Sequence, residues 1–392
     1  MPTPSVFDFD HAIDRRGTHA VKYAERGIKF GRADVMPLWV ADMDFAAPPC
    51  VAEALAERAR HPIYGYTTIP DSFHDAAIDW YARRHGWHIP RDNLLVVPGT
   101  LPALASIITA LTQPGDGVIT QPPVYGPFEA MPQELGRRVI ANPLRATDGR
   151  YAMDLDALDR QAAQARLLLL CNPHNPVGRA WTETELDGLL AHARRHHLVV
   201  FSDEVHGDLA YPGTPYTPLG RLAERGDRII SAVSPAKPFN VQGLPLCVLA
   251  VSDATLRDTL RRALAAHHLE NLSPFALTAA QAAWRDGEPW LEALLAYLQT
   301  TRDMLADTVN ARLAPLRLTP PEASYLAWLD CRGLNLGDAE LADFFVNRCG
   351  LGLNPGRDYG AAGSGFMRLN FAAPRARIQT ALAAIQQALA AR

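Results

Sequence analysis

Residues 167–178 read LLLLCNPHNPVG, residues 199–209 read VVFSDEVHGDL, and residues 229–240 read IISAVSPAKPFN. Each begins as a short, nearly unbroken apolar run and breaks into a loop rich in Pro, Asn, Asp or Ser. Runs of this length and composition are strands buried on both faces, as in parallel sheets. Leu94–Val97, 118–120 and 247–251 have the same character. Helical patterns stand between them over 101–111, with Pro102 allowed in the first turn, over 154–166, and over 183–196, opened by Thr182. Strands alternating with helices predict an α/β fold: a mostly parallel central sheet flanked by helices.

Downstream the pattern changes. A long helical stretch over 290–316 carries Leu291, Leu294, Leu295, Leu298 and Leu305 on one face. Strands follow near 325–329 and 366–371, then an Ala-rich helix after Pro374. This second unit is expected to be a smaller α+β domain. The boundaries drawn are 1–45 for an N-terminal segment joining the small domain, 46–289 for the large domain and 290–392 for the small C-terminal domain. No internal repeat is present.

Composition removes several function classes. The chain has 392 residues, 48% apolar and 20% charged, with 38 basic and 42 acidic residues for a net charge of −4. That balance lacks the basic footprint of a nucleic-acid binder. No apolar run approaches the roughly 20 residues of a membrane span. The opening MPTPSVFDFDHAIDRR carries acids where an export signal needs an apolar stretch, so no export is expected. Cys50, Cys171, Cys247, Cys331 and Cys349 form no CxxC pair and are odd in number, which argues against a disulfide framework and fits a reducing cytoplasm.

Only three lysines occur, Lys22, Lys29 and Lys237; every other basic residue is Arg. Arg replaces Lys where only charge is required. It cannot replace an amine that must lose its proton and attack a carbonyl. Lys237, alone after position 29, is therefore a candidate nucleophile.

Ligands of open α/β sheets bind beyond the carboxyl ends of the strands. The residues there are Gly99-Thr100-Leu101 opening a helix, Tyr125, Asn175, Asp203 with His206, and Ser234 with Lys237. Each has a plain alternative. Asn175-Pro176 is ordinary turn chemistry. The 203–206 stretch reads also as a helix cap or part of a metal cluster, although no second His or Cys set stands at ligand spacing, so no metal is expected. Tyr125 reads also as a half-buried aromatic. Glycines 360, 363 and 365 precede a strand instead of following one, which makes a mobile loop the expectation rather than a nucleotide loop. Taken together, a helix N-terminus suits a phosphate, an aromatic face suits a ring, a carboxylate suits a protonated ring nitrogen, an amide suits a phenolate, and a lysine suits an aldehyde. Pyridoxal 5'-phosphate has all five features.

CNPHNPVG, SDEVHGDL and SPAKPFN, in this order, resemble the signatures of fold-type I, class I/II aminotransferase-like PLP enzymes. WVADMDFAAP (39–48), HPIYGYT (61–67), His206, YLAWLD (325–330) and GFMRLNFA (365–372) narrow the resemblance to MalY/PatB-type cystathionine β-lyases, or C–S lyases. The resemblance implies that Lys237 is the Schiff-base lysine, Asp203 the pyridine-nitrogen partner, and Asn175 and His206 the contacts to the ring oxygen. It implies that Tyr125 stacks on the ring and that Thr100, Leu101 and Ser234 hold the phosphate. Tyr66 would reach the neighbouring subunit's phosphate, making the active unit a homodimer with shared sites. Arg368 would grip the substrate carboxylate, beside Asn175 and the backbone of Ala41. The implied reaction is β-elimination of cystathionine or another S-substituted cysteine to pyruvate, ammonia and a thiol. A class I/II aminotransferase uses the same residues up to the carbanion, and a regulatory role through a protein partner is a third possibility in this branch. One departure stands out: Pro245 occupies the position where many relatives place a phosphate-contacting cation.

Overall fold

The computed structural model describes residues 7–392; residues 1–6, the start of the N-terminal segment and of the export reading, lie outside the described residues. Seven strands build the main sheet: β1 (Leu94–Val97), β2 (Gly117–Thr120), β3 (Arg138–Ala141), β4 (Ala165–Cys171), β5 (Val199–Asp203), β6 (Ile229–Val233) and β7 (Cys247–Ala250). Their spatial order is β1-β7-β6-β5-β4-β2-β3. Strands β3, β2, β4, β5 and β6 are parallel neighbours, and β7 runs antiparallel to both β6 and β1. Because β7 reverses twice, β1 points the same way as β6. The carboxyl ends of β1, β2, β4, β5 and β6 therefore share one edge, together with the start of β7.

The alternation of side chains along each strand divides the core into two layers. Leu167, Leu169 and Cys171 join Val118, Phe201 and Ile230 on one face, under the helices Thr100–Leu111 and Ala254–Ala266. Leu168 and Leu170 join Ile119 and Val200 on the other, under Leu155–Ala162 and Glu183–Arg195. Burial on both faces is why these strands are apolar throughout; truncating Leu169 to Ala would cost about 2–5 kcal/mol. The predicted start of Glu183–Arg195 is a full capping box: Thr182 Oγ accepts from Glu185 N–H at 3.2 Å while Glu185 Oε2 accepts from Thr182 N–H at 2.9 Å.

A second sheet of four antiparallel strands has the order Arg317–Leu318, Leu326–Asp330, Phe366–Asn370, Asn354–Pro355. The helices Glu288–Arg312 and Arg375–Ala390 pack on it in a core that continues to the main sheet. Met36–Pro37 pairs in parallel with Leu351–Gly352, fastening the N-terminal segment to this end of the molecule.

Three local expectations change. The helix predicted over 154–166 ends at Ala162, and β4 begins already at Ala165. β3 and the hairpin Arg145–Thr147/Arg150–Ala152 were not predicted, because their exposed edge positions break the apolar pattern. The glycine-bearing loop before Phe366–Asn370 is packed: Gly356, Tyr359 and Gly363 are buried, and Val124 N–H donates to the Tyr359 carbonyl at 3.0 Å.

Candidate active site

The strand ends bring most of the singled-out residues together. Asp203 is the last residue of β5, with Cys171 as its partner across to β4 and Ala232 across to β6. One donor reaches its carboxylate, the Val205 N–H at 3.3 Å. Burial raises its pKa to about 6, against the lowering effects of that N–H and of the Lys237 charge. Lys237 follows β6 by one turn, and its Nζ donates to the Ala41 carbonyl at 2.7 Å. Burial, then the Arg368 charge, lowers its pKa to about 8, while Asp42 and Asp203 pull the other way. His206 is buried, and burial followed by the Lys237 and Arg368 charges holds it well below the ordinary imidazole range. Its Nδ1 lies 3.0 Å from Ser324 Oγ.

Asn175 and Arg368, 193 positions apart, meet through Arg368 NH1 donating to Asn175 Oδ1 at 3.1 Å. Arg368 NH2 donates to the Trp39 carbonyl at 2.7 Å, and the guanidinium lies over the Tyr359 ring at 5.1 Å. Its Nε is buried with no hydrogen-bond partner among the described residues. Tyr125 stands half-buried near Asp203, and burial, then that carboxylate, raises its phenol pKa.

At the other end, Thr100 and Leu101 open the twelve-residue helix Thr100–Leu111. The N-terminal N–H groups of a helix have no intrahelical acceptor. Gly99, at φ +120°, turns the chain into this helix in a conformation that L side chains rarely adopt. Burial pushes the Cys247 thiol up to about 12, with the nearby Thr100 hydroxyl opposing the rise. A Cβ on Gly99 would stand 3.7 Å from Pro245 Cβ, so Pro245 borders this turn. Ser234 Oγ donates to the Leu246 carbonyl at 2.6 Å and accepts from Ala236 N–H at 3.1 Å.

Ala41 belongs to a segment whose four successive carbonyls, 39–42, all accept from side chains of other elements. Trp39 O takes Arg368, Val40 O takes Asn370 Nδ2 at 2.6 Å, Ala41 O takes Lys237 and the Tyr325 hydroxyl at 3.0 Å, and Asp42 O takes Asn370 Nδ2 at 2.6 Å and Lys22 Nζ at 3.1 Å. Tyr66 is the exception among the sequence-derived candidates: it lies fully exposed in the extended stretch after helix Pro49–Arg60 and joins no part of the site within one chain. Residues missed at the sequence level are Tyr325, Ser324, Tyr359 and the Trp39 carbonyl. Tyr325 was signalled by its place in YLAWLD; a backbone carbonyl has no sequence signal.

The donor set fits pyridoxal phosphate. A buried, under-bonded carboxylate suits a ring N–H⁺, the buried Arg368 Nε lacks an acceptor, a lysine of lowered pKa suits an aldehyde, and a helix start suits phosphate. Among the described residues no group of His, Cys, Asp and Glu is arranged to hold a metal ion.

The fold and this edge define a class, and sequence comparison names it. The class I and II aminotransferase family model matches residues 33–385, and the chain belongs to that family. Its relatives include cystathionine β-lyase PatB of Bacillus subtilis, 39% identical over 385 residues that cover 97% of this chain and 100% of that protein. Protein MalY of Escherichia coli is 33% identical over 390 residues, covering 98% and 100%. Among solved structures, cystalysin from Treponema denticola, which contains pyridoxal 5'-phosphate, superposes with a TM-score of 0.95 at 28% identity, covering 98% of this chain and 99% of that one. A PLP-bound C–S lyase from Staphylococcus hominis gives 0.92 at 30% identity, covering 98% of each.

Proposed function

We propose that the protein is a pyridoxal phosphate-dependent carbon–sulfur β-lyase acting on cystathionine or another S-substituted cysteine and releasing pyruvate, ammonia and a thiol. The observation that carries this reading is the Lys237 amine, lowered to about pKa 8 and seated on the Ala41 carbonyl beside Asp203, His206 and Arg368. The full-length likeness to cystathionine β-lyases supplies the direction of the chemistry.

Pyridoxal phosphate, when bound, supplies an aldehyde for amine condensation and an electron sink for charge developing at the substrate Cα. Lys237 is the covalent anchor and then the base. Near neutral pH a useful fraction of its amine is unprotonated, as removal of the α-proton requires. The proton it gains makes it an ammonium that the Ala41 carbonyl can receive, and this ammonium is the acid for the leaving sulfur. The Tyr325 phenol is the poorer acid, because burial raises its pKa far above the ordinary value. Asp203 keeps a proton on the ring nitrogen. Asn175 and His206 hold the ring oxygen, and Tyr125 covers the ring face. The N–H groups of Thr100 and Leu101 with the Ser234 hydroxyl hold the phosphate. Arg368 clamps the substrate carboxylate with its fork, exchanging its present carbonyl and amide acceptors for the ligand.

The active unit is a homodimer in which Tyr66 of each chain completes the phosphate site of the other. Support comes from the exposure of Ile63, Tyr64 and Tyr66, the last of them fully, in one stretch of the isolated chain. The same reading takes 46–289 as the cofactor-binding domain and 290–392, joined by 1–45, as the small domain, supported by the Met36–Leu351 pairing. It places the enzyme in the cytoplasm, supported by five free cysteines; no described helix is long and apolar enough to cross a membrane.

Incubation with cystathionine tests the function. Catalytic release of pyruvate and a titratable thiol is expected. Stoichiometric conversion of the cofactor to pyridoxamine phosphate without pyruvate would establish an aminotransferase instead.

A further inference from the structure

Ser324 stands two residues before the start of the strand Leu326–Asp330 and has a backbone conformation that its residue type does not favour. Its φ is +72°, in the left-handed region where a Cβ is disfavoured and glycine is the usual occupant. Three bonds hold this buried residue there. Its N–H donates to the Leu209 carbonyl at 2.9 Å, its carbonyl accepts from the Tyr211 hydroxyl at 2.6 Å, and its Oγ meets His206 Nδ1 at 3.0 Å. Leu209 closes the turn that follows His206 itself, and Tyr211 stands two residues beyond it. The backbone of Ser324 is thus clamped to the segment that carries the imidazole, and a left-handed residue with a hydroxyl is kept where a glycine would be relaxed.

We propose that Ser324 is a positioning residue: its hydroxyl donates to His206 Nδ1 and fixes the imidazole as the Nε2–H tautomer, so that Nε2 serves as a donor to the cofactor's ring oxygen. The inference rests on the pyridoxal phosphate reading of the site. A neutral imidazole has one N–H and one bare nitrogen, and the bond made by one nitrogen decides the state of the other. Burial first, then the Lys237 and Arg368 cations near it, keeps His206 neutral, and the Tyr325 ring packs beside it at 5.9 Å and 61°. If Nδ1 carried the proton instead, a bare Nε2 would oppose the lone pairs of an anionic oxygen. A Ser324 hydroxyl that donates to Nδ1 disfavours that alternative from the opposite side of the ring, across 118 positions of sequence.

Ser324→Gly tests this without sacrificing the fold, since glycine suits the left-handed backbone and removes only the hydroxymethyl group. The holoenzyme variant is expected to melt no lower than the parent. Its visible cofactor band should change form at a pH midpoint displaced by about half a unit, and cofactor-free protein should bind pyridoxal phosphate roughly three- to tenfold more weakly, the span of one neutral hydrogen bond. Ser324→Ala should show the same displacement. In a His206→Asn background the Ser324→Gly change should move neither quantity further, because the hydroxyl acts through the imidazole. Unchanged midpoint and affinity in both folded single variants overturn the inference while leaving the function intact. Failure of the parent protein to form any visible band with pyridoxal phosphate overturns the functional reading and the inference together.

Discussion

Asp203 and Glu204 are consecutive buried carboxylates at the end of one strand, yet they live in opposite chemical worlds. Glu204 is saturated by the protein: it accepts from the Tyr216 hydroxyl, from Ser231 Oγ at 2.9 Å and from Leu219 N–H at 3.1 Å. Asp203, facing the other way, has one backbone N–H. Burial raises both, Asp203 to about 6 and Glu204 to about 7. Lys22, fully buried, and Lys237, half-buried, repeat the contrast. Lys22 is enclosed by Asp42 and Asp44, each at 3.3 Å, whereas Lys237 rests on a single carbonyl. A buried charge whose partners all come from the chain is an anchor, because those partners offset part of its desolvation and have no room for a ligand. A buried charge short of partners is a site, because its compensation comes from a ligand.

The lysines give the largest expected separation. Lys237→Ala should cut cystathionine turnover by roughly 10⁴-fold or more while the protein stays folded. Lys22→Met should cost about 3 kcal/mol of stability, as removing one member of a buried ion cluster does. Unfolding curves beside steady-state rates check the crossed pattern; loss of activity without loss of stability in Lys22→Met would break the comparison.

The carboxylates come next. Asp203→Asn keeps the oxygen that accepts from Val205 but removes the charge, so turnover should fall by about 10²-fold or more. The same change should stabilise the cofactor-free protein at pH 7.5. The folded pKa of about 6 lies above the ordinary 3.8, so the folded state binds the proton more tightly; the parent gains stability as pH falls from about 6 towards 4, and above 6 the ionised group is a cost. Melting temperatures of parent and variant should therefore differ at pH 7.5 and converge near pH 4. Glu204→Gln should leave turnover within about threefold, and its stability relative to the parent should rise between about pH 5 and pH 8, because the parent's folded pKa of about 7 lies above the ordinary 4.5 and ionisation above it is a cost.

Arg368→Lys should raise KM about tenfold with a smaller change in kcat, since one ammonium cannot reproduce a two-pronged grip. The smallest effect is reserved for the phosphate end. Pro245→Arg should tighten cofactor binding a few-fold, in a manner that fades with added salt, because it adds a cation beside the Gly99 turn. An equilibrium titration at two ionic strengths reads it.

Much of this was legible in the sequence because the site is built from strand ends. Strands buried on both faces advertise themselves as apolar runs, and the residue after each run marks the binding edge; Asn175, Asp203 and Lys237 were located in that way. The scarcity of lysine singled out Lys237. What the sequence withheld has physical reasons. The antiparallel course of β7 leaves no trace, since a strand buried from both sides looks alike in either direction. β3 escaped because Arg138 and Ala141, exposed at the sheet edge, dilute Val139 and Ile140. His197 and His268, both exposed, lie just past helix ends in left-handed conformations that no local pattern marks. Ser324, Tyr359 and the Trp39 carbonyl depend on long-range register, which no local pattern encodes. Tyr66 was legible only through resemblance: within one chain it touches nothing in the site.

The segment 39–42 is held through its main-chain oxygens, and that has an evolutionary corollary. Side chains at Val40 and Ala41 make none of these hydrogen bonds, so exchanges that respect the packing of Ala41 on the core leave the strap in place. Saturation libraries at these two codons should yield mostly folded, cofactor-loaded proteins whose preferences among sulfur-bearing amino acids diverge, making this short stretch the cheapest place for selection to retune the enzyme.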